Sequence, residues 1–121
     1  MKEEKNNLYN KALQFAVRMV KLREYFAEKR REHILSKQIL RSGTSIGANI
    51  AEANASVSRV DFTNKLAIAL KEANETKFWL QLLHATEYLS NEQYESLYKD
   101  ADELCKILYT LIKKNRKFKK S

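Results

Sequence analysis

Apolar residues recur every three or four positions along almost the whole chain, and the breaks between these runs are short and polar. Leu8, Ala12, Phe15, Ala16, Met19, Val20, Leu22 and Phe26 predict a first helix over residues 7–28 with one broad apolar face. The charged run Glu28-Lys29-Arg30-Arg31-Glu32 interrupts it. A second pattern starts at Ile34 or Leu35, continues through Ile39, Leu40, Ile46, Ile50 and Ala53, and ends near Ala55. Ser58 with Asp61 three residues later is a variant capping box, which opens a third helix. That helix carries Phe62, Leu66, Ala69, Leu70, Ala73, Leu80 and Leu83 on one stripe, with Ile68, Trp79 and Leu82 beside it. Ser90 with Gln93 repeats the capping signal, and Tyr94, Leu97, Ala101, Leu104, Leu108 and Leu111 mark a fourth helix.

Helices this long joined by connections this short favour antiparallel neighbours, so the expected fold is all-α, an antiparallel up-down-up-down four-helix bundle. The bundle should occupy residues 1–112, with a basic C-terminal tail over 113–121. This topology places the Arg30-Arg31 connection and the 87–91 connection at one end. The N-terminus, the 56–59 connection and the basic tail belong at the other.

Both glycines of the chain, Gly43 and Gly47, fall inside the second helix. Each costs roughly 1 kcal/mol relative to alanine there, which implies that another backbone comes close. Ala48, Ala51 and Ala55 extend small side chains to a further side of the same helix, so it is expected either to touch a second subunit or to pack tightly within its own bundle. Ser42, Ser45, Asn49 and Glu52 form a polar stripe on it, facing Glu72 and Glu75 of the third helix across the bundle. Arg41 or Lys71 would neutralise those carboxylates, and Asn49 would link helices. Gly43, Gly47, Asn49, Glu52 and Trp79 are therefore the candidate packing and assembly residues.

Composition adds one asymmetry. The net charge is +8, yet residues 1–112 hold seventeen basic and fifteen acidic side chains, so the excess belongs to Lys113, Lys114, Arg116, Lys117, Lys119 and Lys120. With Phe118 among them to stack on an unpaired base, these six are the candidate nucleic-acid contacts; Arg30 and Arg31 form a separate, weaker patch. A solvated tail explains the same composition. The absence of a long apolar run excludes a membrane span, and a lone Cys105 with no apolar leader points to the cytoplasm.

The stretch Arg41-Ser42-Gly43-Thr44-Ser45-Ile46-Gly47-Ala48-Asn49-Ile50-Ala51-Glu52-Ala53, followed by Asp61-Phe62, Lys65-Leu66, Ile68-Ala69, Lys71-Glu72-Ala73, Glu75-Thr76 and Trp79-Leu80, closely resembles the bacterial four-helix-bundle proteins encoded in intervening sequences of 23S rRNA genes. The resemblance implies a homopentameric ring. It also implies a more distant similarity to the accessory protein of diversity-generating retroelements, a basic pentamer that binds nucleic acid. No activity is established for the family.

No residue set calls for a metal, a cofactor or an enzymatic mechanism. Glu72-Ala73-Asn74-Glu75 lacks the histidine of a ferritin-like site. Gly43-Thr44-Ser45-Ile46-Gly47 lacks the lysine of a phosphate loop, and His33, His84 and Cys105 share no catalytic spacing. The expected function is a non-enzymatic homopentameric assembly that contacts RNA or DNA non-specifically through a basic rim. The alternative is a homo-oligomeric scaffold for a protein partner with no nucleic-acid ligand.

Overall fold

Four helices account for nearly all of the computed structural model, which describes residues 2–120, with side chains over 7–116. They are α1 (Lys2–Tyr25), α2 (Leu35–Asn54), α3 (Arg59–Ala85) and α4 (Asn91–Lys120), and a π-helical turn, Phe26–Arg30, extends α1. Both predicted caps form. The Ser58 hydroxyl accepts from the Asp61 amide at 3.0 Å. At α4 the exchange is reciprocal, with Gln93 N–H donating to Ser90 Oγ at 3.1 Å and Ser90 N–H donating to Gln93 Oε1 at 2.9 Å.

Pairing across the helices fixes their order and direction. Met19 and Ala12 of α1 meet Gly43 and Gly47 of α2. Arg41 and Glu52 of α2 pair with Glu72 and Lys65 of α3, and Asn74 and Lys77 of α3 meet Cys105 and Asp102 of α4. Lys11 and Arg18 of α1 reach Glu103 and Asp100 of α4. In every case rising numbers on one helix meet falling numbers on the next, so all adjacent helices are antiparallel. The up-down-up-down bundle closes on itself.

The core follows the predicted stripes, with Phe15, Met19, Phe26, Ile46, Ile50, Leu66, Leu80, Leu83, Leu104 and Leu108 fully buried. Two placements differ. Val20 is 46% exposed, because α1 carries a second apolar row of Tyr9, Leu13, Val17 and Val20 that points away from the core. Ile34 is exposed, so α2 begins its inward face at the half-buried Leu35.

The π-helical turn carries the first helix to Arg30, two residues beyond its predicted end at Glu28. The Arg31 and Glu32 amides both donate to the Phe26 carbonyl, which closes a wide final turn, and Arg31 takes a left-handed conformation at φ 51°. The Glu32 carboxylate then turns forward and accepts from the amides of Ile34, Leu35 and Ser36 at 3.1, 2.9 and 2.8 Å. It caps α2 from three residues upstream, a role usually taken by Ser, Thr or Asp. Burial pushes this carboxyl up, but the three amides and the Ser36 hydroxyl outweigh it and hold its pKa below the ordinary glutamate value. A depressed folded pKa contributes stability that is present above the ordinary value and lost as pH falls through the folded one. Glu32→Ala is therefore expected to cost about 1–2 kcal/mol at pH 7. The gap in melting temperature between wild type and Glu32→Gln should narrow below about pH 4; a constant gap would contradict the capping role.

The α2–α3 contact contains the predicted polar stripe in altered form. Arg41 bridges both Glu72 and Glu75, and Trp79 Nε1 donates to Glu75 at 2.9 Å. The buried Ser42 and Thr76 hydroxyls lie 2.9 Å apart. Glu52 pairs with Lys65 at 3.0 Å. Asn49 does not link helices, since its Nδ2 donates to the Ser45 carbonyl of its own helix at 2.8 Å. The two glycines also differ. At Gly47 the Ala12 backbone comes within 3.6 Å of an added Cβ, whereas at Gly43 the close neighbour is the Met19 side chain.

Candidate nucleic-acid interface

Continuous helical periodicity carries α4 past residue 112, so the basic segment begins as ordered helix. Leu111, Ile112 and Asn115 are buried, and the Asn115 amide donates to the Leu111 carbonyl at 2.8 Å. Lys113, Lys114 and Arg116 occupy the exposed positions between them. Lys113 lies 5.5 Å from the centre of the exposed Tyr109 ring. The predicted contacts Lys117, Lys119 and Lys120, with Phe118, lie outside the residues whose side chains are described.

Antiparallel topology brings the start of α3 to the same end. Arg59, Val60, Thr63 and Asn64 line a recess with Asn115 and Arg116. Arg59 was missed by the sequence reading, which placed the 56–59 connection at this end without counting its charge. The signal was the topology combined with one arginine.

Arg30 and Arg31 sit at the opposite end, and Arg30 is engaged by the fold. Its guanidinium donates to the Tyr88 and Glu87 carbonyls at 2.8 and 3.3 Å and lies 4.8 Å from the centre of the Tyr88 ring. These carbonyls belong to the chain leaving α3, where Glu87 is left-handed at φ 66°. Arg30 thus locks two connections together. Arg31 is exposed.

The other chemical candidates are accounted for by packing. Burial pushes the Cys105 thiol above its ordinary pKa, which disfavours the nucleophilic thiolate. His84 stacks on Tyr94 with ring centres 4.3 Å apart and lies 2.7 Å from Asn91 Oδ1. Among the described residues no three His, Cys, Asp or Glu side chains group as metal ligands, and no helix is long and apolar enough to cross a membrane.

The family model for the 23S rRNA-intervening sequence protein matches residues 4–110. The chain belongs to this family. A crystal structure from the S23 ribosomal protein family of Bacteroides thetaiotaomicron VPI-5482, a protein with unknown function, shares 55% identity and a TM-score of 0.89. The similarity covers 91% of this chain and 98% of that one. No curated protein matches. Membership in the 23S rRNA-intervening sequence family extends over all four helices and stops short of the basic residues from 113 onward, so the charge of the α4 end is a feature of this chain outside the matched region.

Proposed function

We propose that the protein is a non-enzymatic assembly whose subunits form a homopentameric ring in the cytoplasm and whose basic α4 ends contact the phosphate backbone of RNA or DNA without sequence readout. The observation that carries this reading is the gathering of Lys113, Lys114 and Arg116 with Arg59 at one end of the bundle. Phosphates are bound by such clusters through counterion release, and a ring would bring five copies of the cluster to one rim.

Assembly is supported by the apolar residues left in solvent. Tyr9, Leu13, Val17 and Val20 form an exposed row on α1, with Leu13 50% exposed. Ala48 and Ala51 are exposed on α2 and Ala55 just beyond its end, while α3 exposes Ile68 and Phe78. A monomer has little reason to keep such a row in water. A head-to-tail contact between rows on different helices closes into a ring when its rotation closes.

Light scattering tests the assembly and fluorescence anisotropy the ligand. A mass of five chains is expected, with micromolar or tighter binding to a structured RNA and a matched DNA duplex at low salt and a steep loss as salt rises. An intact ring that binds neither would assign the basic end to solubility and the exposed apolar rows to a protein partner. Recovery of one protein after nuclease treatment would then identify the scaffold. A monomer would overturn the ring.

A further inference from the structure

We infer that α3 and α4 together build a discrete phosphate-binding notch at the basic end of the bundle. The recess has a volume of about 60 Å³ and is lined by Arg59, Val60, Thr63, Asn64, Asn115 and Arg116. Arg59 of α3 and Arg116 of α4 line it together with Asn64 and Asn115. No carboxylate lines it among the described residues.

Internal bonds set the walls. The Thr63 hydroxyl donates to the Arg59 carbonyl at 2.8 Å, and the Asn115 amide is committed to the Leu111 carbonyl at 2.8 Å. Asn115 is only 4% exposed, so the floor is part of the packed bundle rather than a loose surface. Arg59, Asn64 and Arg116 are exposed at the rim. Paired guanidinium forks from two elements fit the geometry of a tetrahedral oxyanion and bind it bidentately, which lysine cannot do.

The ligand class is a single phosphate group, presented as a phosphodiester of a nucleic-acid strand. This rests on the proposed nucleic-acid reading and sharpens it, since a fixed notch would register the strand that a diffuse field of lysines only attracts.

The test is a ¹⁵N–¹H spectrum of the side-chain amides of Asn64 and Asn115, titrated with inorganic phosphate and separately with a single-stranded oligonucleotide. Both should give saturable shifts in wild type that disappear in Arg59→Gln and in Arg116→Gln. Arg59→Lys, which keeps the charge and loses the fork, should recover only part of the response. The double variant should bind the oligonucleotide at least tenfold more weakly, with the salt slope lowered by about 1.4. A phosphate response without oligonucleotide binding would keep the notch and overturn the nucleic-acid reading. Oligonucleotide binding that survives both arginine changes, with no amide shift, would overturn the notch and leave the reading standing.

Discussion

Replacing Lys113, Lys114, Arg116, Lys117, Lys119 and Lys120 with glutamine should weaken the proposed nucleic-acid binding at low salt by about a hundredfold or more and flatten its salt dependence, with the proposed ring preserved. Each neutralised phosphate contributes about 0.9 to the slope of log affinity against log salt, so six lost contacts remove up to about 5 units of slope. The remaining chain carries a net of only +2, too little to sustain a steep response. Assembly should survive, because Lys113, Lys114 and Arg116 are exposed while the neighbouring Leu111, Ile112 and Asn115 hold α4 in the bundle. The loss of favourable charge at the α4 C-terminus costs only tenths of a kcal/mol per residue. Anisotropy at several salt concentrations, alongside light scattering of the same samples, decides the matter. Undiminished affinity in the sixfold variant would remove the basic segment from the ligand surface.

Gly47→Leu should lower the melting temperature by about 10 °C, whereas Gly47→Ala should raise it. An added Cβ at Gly47 would lie 3.6 Å from both the Ala12 Cβ and its carbonyl oxygen, an ordinary contact distance. Alanine fits there and recovers about 1 kcal/mol of helix propensity. Leucine has no such room, since its branch must enter the space held by the α1 backbone; overpacking of this kind costs about 3 kcal/mol. Gly43→Ala has the opposite sign from Gly47→Ala. Its Cβ would run into Met19 Cγ and come within 2.6 Å of Sδ, and Met19 is fully buried among core side chains. The expected order of melting is Gly47→Ala above wild type, and wild type above Gly43→Ala and Gly47→Leu. A stable Gly47→Leu oligomer would mean that α1 and α2 are free to separate.

Periodicity revealed which segments are helical, and the stripes of α2 and α4 each have one dominant apolar face, whereas α3 also carries Ile68 and Phe78 on its outer side. It could not orient α1 fully. Tyr9, Leu13, Val17 and Val20 make a second row as regular as the first, and only the position of α2 decides which row is interior. Capping at Ser58 and Ser90 was legible because the partners lie three residues away. The Glu32 cap was not, since it depends on a π-helical turn that leaves the carboxylate upstream of α2. Ser36, Ser42, Thr63, Thr76 and Asn115 are buried although polar, and each is satisfied by a nearby carbonyl or by another hydroxyl that no hydropathy pattern reports. At the candidate site, the lysines of α4 were visible as composition. Arg59 became visible only once the fold set it beside Arg116, and Arg30 looked available until its carbonyl partners were in view.

The seam between α1 and α4 differs from the other three. α1 lies against the α2 glycines, but toward α4 it leaves recesses of about 300 and 260 Å³ and is spanned by the Lys11–Glu103 and Arg18–Asp100 pairs. A chain emerging from the ribosome completes α1, α2 and α3 before α4 exists, and those three can already pack in sequence through close neighbours. The fourth helix then docks along α3 and shuts the seam with charges. The basic end of α4 is thus made after the three helices that precede it, and it is displayed only once the surface that carries it has been built.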